Sequence, residues 1–148
     1  GIEITLNVYD ASRWEIVQWF NTLFAYQNAP IKLGGIFHVG VQVGDEEWAF
    51  GATLSGSGVC RHKPRGAEMH HFRESIPMGT TTLSKRELDK FFQCLAGTWE
   101  GQSYNVFQNN CIDFCDEVLH RLRVGNVPMW TNRLAHLVSA AGQAIGKM

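Results

Sequence analysis

The strongest constraint on the fold is an alternating stretch of apolar residues that leads into a tight turn and a return strand. Apolar residues occupy every second position over 36–43, and Gly44-Asp45 follows directly. Glycine and aspartate between two such stretches predict a two-residue β-hairpin, and residues 47–50 supply the return strand. The apolar side of the first strand consists of Phe37, Val39, Val41 and Val43.

The hairpin also predicts a register. With a two-residue turn Val43 faces Glu46, so His38 is expected opposite Gly51 at the open end of the hairpin. A glycine at that position would leave space beside the imidazole of His38. The sequence therefore predicts an antiparallel sheet with a histidine on the less apolar face of one strand.

Further strands and loops follow from the same patterns. Residues 2–9 alternate like a half-buried strand, and residues 72–78 are expected to form another. Residues 52–71 are polar and rich in glycine, which predicts a long irregular connection. A short extended segment is expected over 104–107.

Helices are predicted where apolar residues recur every three or four positions behind a capping residue. Four such segments occur after residue 11, and Gly101 and Gly125 are expected to end the second and third helices. The predicted caps are Ser12 with Glu15, Ser84 with Glu87, Asn109-Asn110, and Thr131. The mixed order of strands and helices predicts an α+β fold, with residues 1–148 forming one domain.

The composition excludes several classes of protein. The 148 residues are 45% hydrophobic and carry a net charge of -1, which excludes intrinsic disorder. The sequence pI of about 6.6 argues against a nucleic-acid partner bound through bulk positive charge. Neither a membrane-spanning stretch nor a signal-peptide pattern is recognisable, so we expect no stable membrane insertion and a cytoplasmic location, with the nucleus as a second site.

Four cysteines are present: Cys60, Cys94, Cys111 and Cys115. The C-x-x-C spacing typical of structural zinc sites does not occur, so we expect free thiols, no metal and no cofactor. Cys60 is expected in a loop, whereas Cys94 and Cys115 lie on apolar helical stripes and are expected to be packing residues.

Cys111 differs from the other three because it begins a predicted helix. Backbone N–H groups without helical partners and the positive end of the helix dipole both favour a thiolate there, and the thiolate is the nucleophilic form. His38 could meet this thiol in space and act as its base. The spacing alone leaves a structural cysteine and a surface histidine as alternatives.

Longer stretches of the sequence resemble a known family. They are Gly35-Ile36-Phe37-His38, Glu47-Trp48-Ala49-Phe50-Gly51, Tyr104 to Cys111, and Val127-Pro128-x-Trp130-x-Asn132-Arg133-Leu134-Ala135. Together they resemble the PPPDE family of permuted papain-fold peptidases, also called desumoylating isopeptidases. The resemblance covers almost the whole chain and implies a permuted papain-like fold, related to NlpC/P60 proteins, in which an antiparallel sheet packs against helices.

The resemblance also implies the site. The family's catalytic histidine corresponds to His38 and its nucleophile to Cys111, with Asn110 and Trp48 as candidate residues for substrate or oxyanion binding. It implies a catalytic centre of two residues, a cysteine and a histidine. This agrees with the sequence, because no carboxylate or amide is convincingly placed on the return strand. Where the family commonly has Asn-Cys-Asn, this chain has Ile112 after the cysteine, which puts its specificity in question.

The resulting hypothesis is a cysteine isopeptidase that removes ubiquitin or SUMO from proteins, and it leaves homodimer formation open. The Pro128 to Ala135 stretch is closer to the deubiquitinating branch of the family. One alternative is a thioesterase acting on S-acylated proteins. Another is a lipid-directed acyltransferase of the lecithin:retinol type, which shares the Asn-Cys-x-x-Phe pattern of Asn110 to Phe114. The third is a catalytically weak module that binds ubiquitin-like proteins.

Overall fold

A computed structural model describes residues 1–10, 37–105 and 108–132 of the chain. Five strands and two helices are described. The strands are β1 (Ile2–Asp10), β2 (Phe37–Val43), β3 (Glu46–Phe50), β4 (Val59–His62) and β5 (His71–Thr81), and the helices are α1 (Lys85–Thr98) and α2 (Cys111–Arg121). Short 3₁₀ turns cover Gly101–Ser103 and Met129–Asn132.

All five strands form one antiparallel sheet in the order β4-β3-β2-β1-β5. The hairpin prediction is confirmed, because Val43 pairs with Glu46 across the turn. The paired part of that hairpin ends at Val41 and Trp48. The predicted juxtaposition of His38 with Gly51 lies beyond it.

The two faces of the sheet differ in chemistry. One face carries the hydrophobic core, in which side chains of β1 and β2 pack against both helices. Residues directly opposite each other on neighbouring strands share a face of the sheet. On the other face, Tyr9 of β1 lies opposite His38 of β2, and Asn7 lies opposite Gly40. This second face, which we call the polar face, buries Asn7, Tyr9, His38 and Glu47. The predicted α+β architecture with an antiparallel sheet and packed helices is confirmed.

Both helices begin at capping boxes. Ser84 Oγ accepts the N–H of Glu87, and Glu87 Oε1 accepts the N–H of Ser84. Asn110 and Asp113 make the equivalent pair of bonds at α2. Each box satisfies N–H groups that a helix cannot satisfy internally. The two predicted starts are therefore confirmed.

The predicted end of α2 at Gly125 is wrong. The helix ends at Arg121, and the N–H groups of Arg123 and Val124 then donate back to carbonyls of the last turn. Arg123 adopts the left-handed φ of 57° that glycine usually takes at this position. Gly125 has a different function, because its N–H donates to the Met78 carbonyl at 2.9 Å and so links the chain to β5.

Three further expectations are corrected. The segment 52–71 contains β4, which pairs with β3 and places Cys60 in a strand. Helix α1 ends at Thr98, whereas Gly101 starts a 3₁₀ turn. Cys94 is exposed on α1, because the buried positions of that helix are Leu88, Phe92 and Leu95. The predicted helices that follow Ser12 and Thr131, and the end of the 104–107 segment, lie outside the described residues.

Candidate active site

Cys111 is the first residue of α2 and is 2% exposed. Asn110 Oδ1 accepts the N–H groups of Ile112 and Asp113 at 3.0 and 3.1 Å, and the carbonyl of Asn110 accepts the N–H of Phe114. None of these bonds uses the N–H of Cys111. This N–H and the positive end of the helix dipole lie beside the thiol, an arrangement that favours negative charge on an oxyanion nearby.

Asn110, predicted to bind substrate or the oxyanion, acts through its side-chain oxygen as the cap of α2. An oxygen that accepts two backbone N–H groups orients the first turn of the helix and with it Cys111. The structure therefore places Asn110 next to the candidate nucleophile as a residue that positions it.

His38 is the second residue of β2 and is 6% exposed. It pairs with Tyr9 on β1, and the two rings lie with centroids 5.6 Å apart. The ring of His70 stacks on the imidazole at 4.0 Å and an interplanar angle of 14°. The candidate base is therefore enclosed by two aromatic neighbours and is no surface histidine.

The first turn of α2 lies over the end of the sheet where His38 is found. The Cys115 thiol, one turn beyond Cys111, donates to the carbonyl of Val39 at 3.5 Å. Phe114 packs near Phe50 at the end of β3, with centroids 6.1 Å apart. The structure thus brings the start of α2 and the start of β2 to the same end of the sheet, with α2 packed on the apolar face and His38 on the polar face.

Trp130 marks this end of the sheet as well. It follows Met129 in a 3₁₀ turn, and its ring meets that of Phe37 edge-on at 5.0 Å. Phe37 directly precedes His38. Met129 is 82% exposed and Trp130 is 37% exposed, so an accessible apolar surface adjoins Phe37.

Trp48 lies elsewhere. Its ring stacks on Phe92 of α1 at 4.3 Å, and Arg61 lies over it at 5.5 Å. It pairs with Val41, nearer to the hairpin turn than His38 is. The structure places Trp48 in the packing between β3 and α1 and does not bring it to the start of α2.

A carboxylate missed by sequence analysis lies on the return strand. Glu47 of β3 is fully buried on the polar face, and Tyr9 donates its hydroxyl to Glu47 Oε2 at 2.6 Å. Tyr9 in turn lies against His38. Alternation gave one available signal, because Trp48 and Phe50 are both apolar and Glu47 must then face the opposite side. Nothing in the spacing showed that this side is buried.

Within the described ranges, no cluster of three or more histidine, cysteine or acidic residues could hold a metal ion. None of the helices described there is long and apolar enough to cross a membrane. The chemistry that the described residues can supply is that of a thiol, imidazoles and buried hydrogen-bonding groups.

Comparison with known proteins identifies the family. Residues 2–148 match the family model described as "PPPDE putative peptidase domain". The chain belongs to the PPPDE peptidase family. The described residues show the α+β form of this papain-like fold, and the PPPDE resemblance inferred from the sequence motifs is confirmed.

Curated relatives of the chain include proteins of a plant, a nematode and vertebrates. A DeSI-like protein of Arabidopsis thaliana is 31% identical over 92% of this chain and 56% of its own length. A desumoylating isopeptidase 1 homolog of Caenorhabditis elegans is 32% identical over 90% of this chain and 38% of its own length. Human desumoylating isopeptidase 1 is 26% identical over 96% of this chain and 81% of its own length. The chain thus spans about half or less of the first two relatives.

Proposed function

We propose that this protein is a cysteine isopeptidase that removes a ubiquitin-like modifier from other proteins, with Cys111 as nucleophile and His38 as base. The observation that carries the proposal is Cys111 at the start of a capped helix, over the same end of the sheet as His38. Membership of the PPPDE peptidase family supports hydrolysis of peptide or isopeptide bonds.

The proposed reaction has two halves. His38 takes the proton of the Cys111 thiol, and the thiolate attacks the carbonyl carbon of the modifier's terminal glycine. The N–H of Cys111 stabilises the oxyanion, and protonated His38 gives its proton to the departing lysine amine. A water molecule, deprotonated by His38, then attacks the thioester and releases the modifier's carboxylate with the free thiol. Since α2 packs on the apolar face and His38 lies on the polar face, the proposed reaction requires the imidazole and the Cys111 sulfur to meet around the end of the sheet.

SUMO conjugates are the first substrates to test, since relatives are named desumoylating isopeptidases. Ubiquitin conjugates are the second, because the stretch from Pro128 to Ala135 resembles the deubiquitinating branch. Trp130 and Met129 offer an accessible apolar surface next to Phe37 that fits a protein substrate. The location in the cytoplasm and nucleus and the single domain over 1–148 remain predictions.

The decisive experiment compares variants on SUMO and ubiquitin conjugates and on electrophilic probes of both modifiers. We expect Cys111→Ser to abolish hydrolysis and probe labelling, and His38→Gln to reduce both by at least about a hundredfold. Cys94→Ser is the matched control, because Cys94 is an exposed thiol on α1. Unchanged hydrolysis in Cys111→Ser would refute the proposal.

The alternatives give different results in the same assays. Hydrolysis confined to S-acylated proteins would identify a thioesterase using the same thiol. Binding of a modifier with neither turnover nor adduct would identify a binding module. The pH dependence of Cys111 alkylation in wild type and in His38→Gln tests the pairing directly, since loss of a paired imidazole should move the reactivity to higher pH. Identical profiles would contradict His38 as the partner.

A further inference from the structure

Glu47 is a fully buried carboxylate surrounded by hydrogen-bond donors. Oε1 accepts the backbone N–H of Arg65 at 2.9 Å and the side-chain amide of Asn7. Oε2 accepts the hydroxyl of Tyr9 at 2.6 Å and lies 3.4 Å from Nε2 of His62. A buried carboxylate is stable only when its oxygens are satisfied in this way. Glu47 is therefore the centre of a polar cluster on the polar face of the sheet.

The first connection from this cluster to His38 runs through Tyr9. Burial raises the pKa of Tyr9 well above its ordinary value, and the hydrogen bond to Glu47 raises it further. Tyr9 thus keeps its proton and remains a donor to Glu47. Its ring lies 5.6 Å from that of His38, its partner across β1 and β2.

The second connection runs through residues 62–70, from the last residue of β4 to the residue before β5, which we call the 62–70 segment. Arg65 has a φ of 60° and donates its N–H to Glu47, which fixes the turn that follows His62. Within this segment the N–H of His70 donates to the carbonyl of Ala67 at 3.1 Å. His70 then stacks on His38 at 4.0 Å. Glu47 therefore fixes the segment that supplies the second aromatic neighbour of His38.

Gly40 of β2 lies in close contact with this carboxylate. A Cβ atom at position 40 would lie 2.5 Å from Glu47 Oε2, so Gly40 is needed for the carboxylate to occupy its place. Asn7, the partner of Gly40, also accepts the hydroxyl of Ser75 at 2.6 Å. Bonds in this cluster thus run from β5 across β1 to β3, which makes the position of Glu47 rigid.

We propose that Glu47 is a positioning residue of this peptidase: by holding Tyr9 and the 62–70 segment, it fixes the His38 imidazole against the rings of Tyr9 and His70. The inference rests on the proposed function, in which His38 is the base. It assigns to the return strand a carboxylate that orients the histidine through its neighbours. A base fixed in this way needs no reorientation before each proton transfer.

The test uses the full chain and two neighbouring glutamates. Glu47→Gln keeps the shape of the side chain and removes its charge. Glu46→Gln makes the same change at a half-buried residue of β3 that forms an ion pair with Arg61. For Glu47→Gln we expect altered NMR signals and an altered titration midpoint of the His38 ring. We also expect a roughly tenfold or greater loss of kcat with little change in KM. Glu46→Gln should leave the NMR signals and titration midpoint of His38 and the value of kcat as in wild type.

Two further variants keep the test decisive if Glu47→Gln does not fold. Tyr9→Phe removes only the hydroxyl bonded to Glu47, and Gly40→Ala displaces the carboxylate without removing it. Both should change the His38 titration in the same direction as Glu47→Gln. Folded variants with unchanged His38 signals would overturn the inference, whatever the activity. If Glu47→Gln changes the His38 signals but the wild-type protein hydrolyses no conjugate, only the proposed function fails.

Discussion

Cys111 and Cys115 lie one helical turn apart, and their surroundings give them different chemistry. Cys115 is fully buried and donates its thiol hydrogen to the carbonyl of Val39. Burial raises the pKa of Cys115 well above its ordinary value, and the neighbouring Cys111 adds to the shift. Cys115 is therefore a packing residue with an inert thiol, as its position on the apolar stripe predicted, whereas Cys111 lies at the positive end of the helix.

The buried thiol predicts that stability falls at alkaline pH. Below about pH 9, the ordinary pKa of the thiol, Cys115 is protonated in both the folded and the unfolded chain. Above it only the unfolded chain ionises, so the free energy of unfolding should fall by up to about 1.4 kcal/mol per pH unit for this group. Tyr9 adds a similar loss above its ordinary value of 10.0.

Urea unfolding under reducing conditions, between about pH 7 and about pH 10, measures this loss. Cys115→Ala should be less stable at neutral pH, because it leaves a small cavity. Its stability should nevertheless fall less steeply with pH. Equal slopes for the two proteins would show that Cys115 does not contribute.

Some residues could be assigned from the sequence and others could not. Cys111 was identifiable because a cap and an apolar stripe are local patterns, and these define the start of a helix. Cys94 was misassigned, because three neighbouring positions on α1 already fill the core. Glu47 was missed for a different reason. Its burial depends on β1, on β4 and on the 62–70 segment, which lie far from it in sequence.

At the scale of elements, the two helices start alike but meet different surroundings. Both have complete capping boxes, centred on Ser84 in α1 and on Asn110 in α2. Of these two described helices, only α2 begins at a cysteine. This repetition within one chain provides a matched pair of sites for separating helix stability from thiol chemistry.

We predict that Asn110→Ala and Ser84→Ala each lower the free energy of unfolding by about 1 kcal/mol. Only Asn110→Ala should also slow alkylation of Cys111, because the first turn of α2 loses the bonds that orient the thiol and its N–H. Chemical denaturation and the rate of iodoacetamide labelling measure the two effects. Equal labelling rates in both variants would show that the cap does not affect the thiol.

Elements with strong local signals were predictable. The hairpin of β2 and β3 and both capped helices match their predicted starts and turn, because turn and cap chemistry lies within a few residues. Strand β4 was missed, since its four residues pair with β3 only after a glycine-rich connection brings them back. The end of α2 was misplaced because Arg123 adopts a conformation that usually calls for glycine.

At the scale of the whole molecule, the sheet separates two kinds of interior. The core of apolar side chains lies between the sheet and the helices. The polar face holds Glu47 and its donors beneath the same strands. Apolar packing gives most of the burial, whereas the buried carboxylate requires one specific arrangement of donors. The sequence pattern predicted the first interior, whereas nothing in it showed that the second face is buried.

The position of β1 within the sheet has a consequence for folding kinetics. β1 lies between β2 and β5, and it pairs with β5 across about 60 to 80 residues of intervening chain. Closing so long a loop precedes any gain from strand pairing, so refolding should take milliseconds to seconds where helical bundles need microseconds. Stopped-flow fluorescence of the tryptophans measures this rate, and a microsecond phase carrying the full amplitude would contradict it.

Until β5 docks, one edge of β1 is open to pairing with other chains, so refolding yield should fall as protein concentration rises.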